Sequence, residues 1–233
     1  MKIDFHSHIL PDTDDGAATI AESLRLLRIL KNDGVDAVVA TPHLYLHRDS
    51  FSRFLERRKA RVELLREAIE KSGEDLPRII VGAEVYFTPG LSSVPLEELC
   101  IENTDYMLLE MEYRPFTTSV VNSVANFVNS CEVNIILAHI ERYYNYYPPE
   151  GIDEVIAFGL PAQGNCESFI SPRTRARAFE FVKNNIISVI GTDTHKTDYR
   201  PPNFKEAEDI IRKKLSDKAF EDLMQTARDI LKL

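Results

Sequence analysis

At 233 residues, with 44% hydrophobic and 28% charged side chains, the chain is long enough to bury a full core as one domain. A net charge of −9 with no basic stripe argues against a sequence-independent grip on nucleic acid, though not against a local basic pocket for a phosphate. Cys100, Cys131 and Cys166 form no C-x-x-C pair, and no basic-then-apolar leader or spanning apolar run occurs, so the expectation is a cytoplasmic protein without disulfides or membrane insertion.

In chain order, β-branched runs predict strands at residues 2–5, 35–40, 78–85, 105–110, 133–138, 160–164 and 186–191. Amphipathic spacing predicts helices at 18–32, 51–72, 119–129, 151–158 and 173–184, with two more at 204–215 and 217–231. Asn32-Asp33-Gly34 reads as a helix stop. Roughly seven strand-then-helix units with short connections point to an α/β protein with a parallel sheet, barrel-like or open. No linker or low-complexity tract divides it, so residues 1–233 read as a single domain.

The polar residues fall on this frame in a pattern. His6 and His8 end the first predicted strand, His43 follows the second, and Glu84 lies in the third. Glu110 ends the fourth, His139 follows the fifth, and Asp193 and His195 follow the seventh. In a parallel β/α fold all strand C-termini share one face, where connecting loops build the site. Five of the six histidines occupy such ends. Any one of them alone has a bland reading as a loop or core polar residue; their joint placement points to a metal site.

Strand parity aims His6 and His8 together, and also Asp193 and His195 if the chain stays extended there. Imidazole with carboxylate suits zinc, manganese or iron. Asp4 shares parity with His6 and His8 and is a candidate for orienting an imidazole. Glu112 shares the parity of Glu110, so either could be the ligand.

The run D-F-H-S-H-I-L-P-D-T-D-D-G, followed by A-T-P-H, G-A-E-V-Y-F-T-P, L-L-E, A-H-I-E-R-Y and G-T-D-T-H with R-P-P, covers nearly the whole chain in order. It resembles the PHP superfamily, and within it the bacterial metal-dependent tyrosine-protein phosphatases of capsule and exopolysaccharide clusters. The resemblance implies a distorted (β/α)7 barrel holding three divalent ions, manganese first, with iron or zinc as alternatives. His6, His8, Glu84 and Asp193 would hold one ion. Glu84 would bridge to a second, shared with Glu110 and His139, and Asp15, His43 and His195 would hold the third. Asp12 and Asp14 are then loop residues around the turn at Gly16.

The implied reaction is hydrolysis of phosphotyrosine in proteins by a hydroxide that the three-metal cluster activates, without a covalent enzyme intermediate. The expected substrate is the tyrosine-rich tail of a polysaccharide-export kinase. Arg142 and Arg200 are the candidates for gripping phosphate oxygens, the alternative for each being a structural ion pair. The loop at 142–149 carries four tyrosines, readable as an aromatic wall for substrate or as packing, and His47 and Arg48 are candidates for the entrance.

Cysteine-based phosphatase chemistry is excluded by spacing, because no C-x5-R occurs and Cys166 reaches Arg173 one residue late. The competing readings are a PHP-type phosphoesterase for a small phosphomonoester, such as histidinol phosphate or a sugar phosphate, and a non-catalytic metal-stabilised regulator. Oligomer formation stays open.

Overall fold

A computed structural model describes residues 1–113 and 117–233 of the chain. Strands β1 (Ile3–Ser7), β2 (Ala37–Ala40) and β4 (Arg78–Val81) form one parallel sheet in the order β1-β2-β4. Strands β3 (His43–Leu44), β5 (Glu84–Tyr86), β6 (Tyr106–Glu110), β7 (Asn134–Leu137), β8 (Ala162–Asn165) and β9 (Ile187–Gly191) form a second, ordered β3-β5-β6-β7-β8-β9 and also parallel.

The two sheets continue one another. The Gly82 N–H donates to the Ala40 carbonyl (2.8 Å) and the Glu84 N–H to that of Pro42 (3.0 Å), so β2 runs on into β3 and β4 into β5. The expected strand at 78–85 is therefore two strands broken at Gly82-Ala83, and the expected strand at 35–40 begins two residues late but gains β3. Seven strand positions follow one another in chain order. The edges β9 and β1 meet through a Ser7–Thr194 bridge and two backbone bonds, Asp193 N–H to His6 O and His8 N–H to Thr194 O, both 2.8 Å. The outcome is a single-domain α/β parallel-sheet fold, with one bridge where a closed barrel would have a ladder.

The helices cover this sheet as their apolar periodicity requires. Helix α1 (Ile20–Asn32) starts where the Thr19 side chain accepts the Glu22 N–H, and α2 (Phe51–Ser72) starts the same way at Ser50. Helix α2 stops at Gly73, whose φ of 64° is left-handed. Helices α3 (Thr118–Ser130), α4 (Pro149–Ile156), α6 (Arg175–Lys183), α7 (Phe204–Lys214) and α8 (Asp217–Leu231) lie within a few residues of expectation, whereas the short α5 (Cys166–Ile170) was not anticipated.

Strand side chains alternate between two buried clusters, as a period of two dictates. Ile3, Phe5, Val39, Ile80, Leu108, Ile136 and Val189 form one, together with Ala227, Ile230 and Leu231 of α8. Their sequence neighbours Val38, Ile79, Leu109, Ile135 and Ile190 belong to the other, under the remaining helices.

Asp4 holds the β1–β9 seam. Its carboxylate accepts the Thr192 N–H (2.7 Å) and the Thr192 hydroxyl (2.6 Å), with a longer bond from the His6 N–H (3.4 Å). It orients backbone and a threonine, not an imidazole, which corrects the parity-based expectation. Burial pushes its pKa up to about 7, so the seam rests on a carboxyl kept from water. Asp4→Ala leaves buried donors at Thr192 and should cost roughly 2–3 kcal/mol of unfolding free energy. Urea denaturation measures this, and a loss under about 0.5 kcal/mol would show that the seam holds without the carboxylate.

Candidate metal centre

The sheet register assembles the site. His43 of β3 lies opposite Glu84 of β5, and Tyr86 of β5 lies opposite Glu110 of β6. Gly191 ends β9 close against β1, where an added β-carbon would lie 2.5 Å from the His6 backbone nitrogen. Gly16 folds the following loop onto His8 in the same way, with the His8 carbonyl 2.2 Å from any such carbon.

Nine predicted ligands converge there. Four groups of side chains bring ligand atoms within 4.8 Å of one another: His8, Asp15, His43 and His195; His6, His8 and Asp193; His6, Glu84 and His139; and His43, Glu84 and Glu110. Glu84 sits at the middle. Its Oε2 is 3.6 Å from His6 Nε2, 3.3 Å from His8 Nε2 and 3.0 Å from His43 Nδ1, while its Oε1 is 2.6 Å from His139 Nε2. Asp193 Oδ1 lies 3.2 Å from His6 Nε2 and 3.3 Å from His8 Nε2. Glu110 approaches His139 Nε2 at 3.7 Å. Glu112 belongs to none of these groups.

Asp15, with 64% of its side chain exposed, sits on the outer side, 3.6 Å from His43 Nε2 and 3.5 Å from His195 Nε2. Asp193 and His195 do not aim together by extended parity, because the φ of 53° at Asp193 is left-handed. They face different groups in consequence.

The donor set fits cations on a specific observation. His6 Nε2, His8 Nε2, Glu84 Oε2 and Asp193 Oδ1 are all buried without a hydrogen-bond partner, although polar atoms in a core are nearly always paired. These are four atoms from the four side chains assigned to one ion. Both imidazoles are fixed from behind. Thr41 Oγ1 is 2.8 Å from His6 Nδ1, and Asp14 Oδ2 is 2.7 Å from His8 Nδ1. That leaves each Nε2 turned toward the carboxylates.

Asp14 does more than shape its turn. It accepts the Gly16 N–H (2.9 Å) and also the His43 N–H (3.0 Å), tying the loop, His8 and β3 together. Asp12 instead pairs at the surface with Arg61, at 2.5 Å.

Arg142 and Arg200 both bond to Asp193 Oδ2, and Asn165 Nδ2 joins them at 2.9 Å. Asp193 therefore presents one oxygen to the imidazoles and the other to two guanidinium groups. Burial alone would raise its pKa, but Arg142 and His6 hold it well below the carboxylate range. Asn165 closes β8, so the strand-end logic extended to the sixth strand position would have found it. Tyr113 was also unforeseen; its hydroxyl lies 3.0 Å from His139 Nδ1.

The tyrosine loop divides. Tyr143 and Tyr147 are buried core, and Tyr144 packs on Phe181 beneath Arg177. Tyr146 is 44% exposed and lies 5.1 Å, ring to ring, from Tyr113 beside His139. Across the site Tyr45, His47 and Tyr86 contact one another, and Arg48 lies over Tyr45.

The family model described as capsular polysaccharide synthesis, CpsB/CapC, matches residues 2–232. The chain belongs to the CpsB/CapC family. It is 29% identical to the tyrosine-protein phosphatase CpsB of Streptococcus agalactiae serotype III (strain NEM316), over 99% of this chain and 98% of that protein. It is 24% identical to the tyrosine-protein phosphatase YwqE of Bacillus subtilis (strain 168), over 99% and 91%. A solved structure from work on Bacillus subtilis YwqE and Streptococcus pneumoniae CpsB, described as unique metal-dependent tyrosine phosphatases, superposes with a TM-score of 0.84. That match is 20% identical and covers 99% of this chain and 94% of the other, so the CpsB/CapC membership and the fold agree.

Proposed function

We propose that this CpsB/CapC-family chain hydrolyses phosphotyrosine in a protein substrate with three divalent ions, manganese foremost. His6, His8, Glu84 and Asp193 would hold the first, Glu84, Glu110 and His139 the second, and Asp15, His43 and His195 the third. The supporting observation is the set of four unpartnered buried atoms on His6, His8, Glu84 and Asp193. Relatives of this family that carry the name tyrosine-protein phosphatase point the same way.

Divalent ions at this centre would make a hydroxide available near neutral pH and offset the negative charge of the phosphoryl group. The chain's own residues supply the rest. Thr41 and Asp14 keep His6 and His8 in register, and Arg142 and His6 keep Asp193 ionised. The guanidinium groups of Arg142 and Arg200 remain partly exposed, at 30% and 28% of their side chains, and would grip phosphate oxygens with the N–H groups that Asp193 does not take. Tyr146 and Tyr113 give an aromatic surface on which a phosphotyrosine ring can lie. The tyrosine-rich tail of a polysaccharide-export kinase is the substrate that fits the family's place in capsule synthesis.

Metal loading should release protons. Burial and Glu84 push the Glu110 carboxyl up to about 8. Burial would lower His8, but Asp14 outweighs it and holds the imidazole well above its usual range. Both groups thus carry protons at neutral pH and must lose them to become ligands. Affinity for Mn²⁺ should rise with pH through about 8, as Glu110 loses its proton. Calorimetry in two buffers of different ionisation enthalpy reads the proton count, and an identical heat in both would refute this protonation scheme.

The deciding assay is phosphate release from phosphotyrosine peptides by the full chain with Mn²⁺, halted by chelator. Faster turnover of histidinol phosphate or a sugar phosphate would give the site to a small phosphomonoester instead.

A further inference from the structure

Behind Asp193, on the side away from the imidazoles, lies a cavity of about 610 Å³. Its lining includes Arg142, Arg200 and Asn165, the three residues bonded to the outer oxygen of Asp193. It therefore adjoins the place where a phosphate held by the two arginines would sit. Two other lining residues are of a different kind. Glu141 is only 6% exposed; its Oε1 accepts the Asn165 N–H at 3.1 Å, but its Oε2 has no partner. Asn203, also lining the cavity, has a buried and unpartnered Oδ1. Asn203 Oδ1 only accepts a hydrogen bond, and an ionised Glu141 does likewise, so a donor completes both.

Charge and shape narrow the donor. Glu206 and Glu167 are exposed lining residues and add negative charge, with Glu167 positioned by a 3.2 Å bond from Asn203 Nδ2. Pro201 and Pro202 supply an apolar wall. The two arginines do not cancel this acidity, because both bond to Asp193, and Asp193, Glu167 and Glu206 together outnumber them. An aliphatic stem ending in a cationic, multiply donating head matches these features together.

We propose that this cavity is a subsite for a lysine or arginine side chain flanking the phosphotyrosine, with Glu141 Oε2 and Asn203 Oδ1 receiving its N–H groups. This rests on the phosphotyrosine phosphatase reading. The subsite selects among phosphotyrosine sequences, since a peptide that fills it offers both acceptors a charged donor that others lack.

The test uses the metal-loaded full chain and phosphotyrosine peptides carrying lysine, norleucine or glutamate at each of the two positions on either side. Norleucine keeps the aliphatic stem and removes the charge. At one position the lysine peptide should exceed the norleucine peptide in kcat/KM by at least about tenfold, the worth of one hydrogen bond to a charged group. Glutamate there should be the poorest. Glu141→Gln should bring the lysine-to-norleucine ratio toward one. Because Glu141 is buried, Glu206→Lys at the exposed mouth serves as a second variant and should lower the same ratio.

Equal rates for lysine and norleucine at every position would overturn the subsite while leaving the phosphatase reading intact. A lysine preference unchanged in both variants would overturn its location. No hydrolysis of any phosphotyrosine peptide would overturn the phosphatase reading and the subsite with it.

Discussion

Glu84→Gln should lower metal-dependent turnover of phosphotyrosine by about a thousandfold, the scale on which a single preorganised electrostatic group matters. Among the described residues, no other carboxylate lies within 4 Å of as many imidazoles of the cluster. Its two oxygens face His6, His8, His43 and His139 at 2.6–3.6 Å, and one of them is buried without a hydrogen bond. Burial alone would push this carboxyl up, but His43 and His6 reverse that and hold it well below the carboxylate range. Glutamine keeps the shape and removes the charge, so the loss should appear in bound metal and in rate together, with the circular dichroism spectrum unchanged. Full metal content with more than about a tenth of the activity would show that Glu84 is not the central ligand.

The second large effect separates three neighbouring aspartates. Asp15→Ala should remove most activity, because Asp15 faces His43 and His195, where the proposed third ion would sit. Asp14→Ala should weaken metal binding by about 10–100-fold, the usual consequence of losing the group that orients a ligating imidazole. Asp12→Ala should leave turnover within about twofold, since its exposed pair with Arg61 is of the kind worth at most about 1 kcal/mol. Metal titration with parallel activity assays distinguishes the three. Equal losses in Asp15→Ala and Asp12→Ala would undo the ligand assignment, and unaltered affinity in Asp14→Ala would leave His8 oriented by something else.

These aspartates show where sequence reasoning stops. Asp12, Asp14 and Asp15 share one tight loop and one residue type, and nothing local distinguishes their directions. The turn at Gly16 could be read, because a side chain there would collide with His8. That Asp14 turns back to His8 Nδ1 and across to the His43 N–H depends on where β3 lies, and β3 is two residues long. So short a strand carries no periodicity. The Asp4 expectation failed for a related reason: parity gives the side of a strand but not the neighbour, and the neighbour was Thr192 at the end of β9.

The tyrosine loop makes the same point. Four tyrosines in five residues read equally as a wall or as packing, and the structure divides them: Tyr143 and Tyr147 enter the core, while Tyr146, just past the 3-10 turn at Ile140–Asn145, stays outside. Residues three apart eclipse in a regular 3-10 turn, so the opposite fates of Tyr143 and Tyr146 follow from the chain leaving the turn at Tyr146.

By itself the sequence determined the α/β class, the chain order of the strands and the convergence of His6, His8, His43, Glu84, Glu110, His139, Asp193 and His195 on one face. Parallel strands with short connections bring their C-terminal ends together whatever their detailed register, which is why that convergence was legible. Tertiary structure alone decided which atoms face which: the split of residues 78–85 at Gly82-Ala83, Glu84 at the centre, Asp14 behind His8, and Glu110 rather than Glu112 in the cluster. It also decided that Arg142 and Arg200 share Asp193 and wall the cavity beyond it. Those outcomes depend on register and on left-handed residues such as His139 and Asp193, set by contacts between segments far apart in the chain.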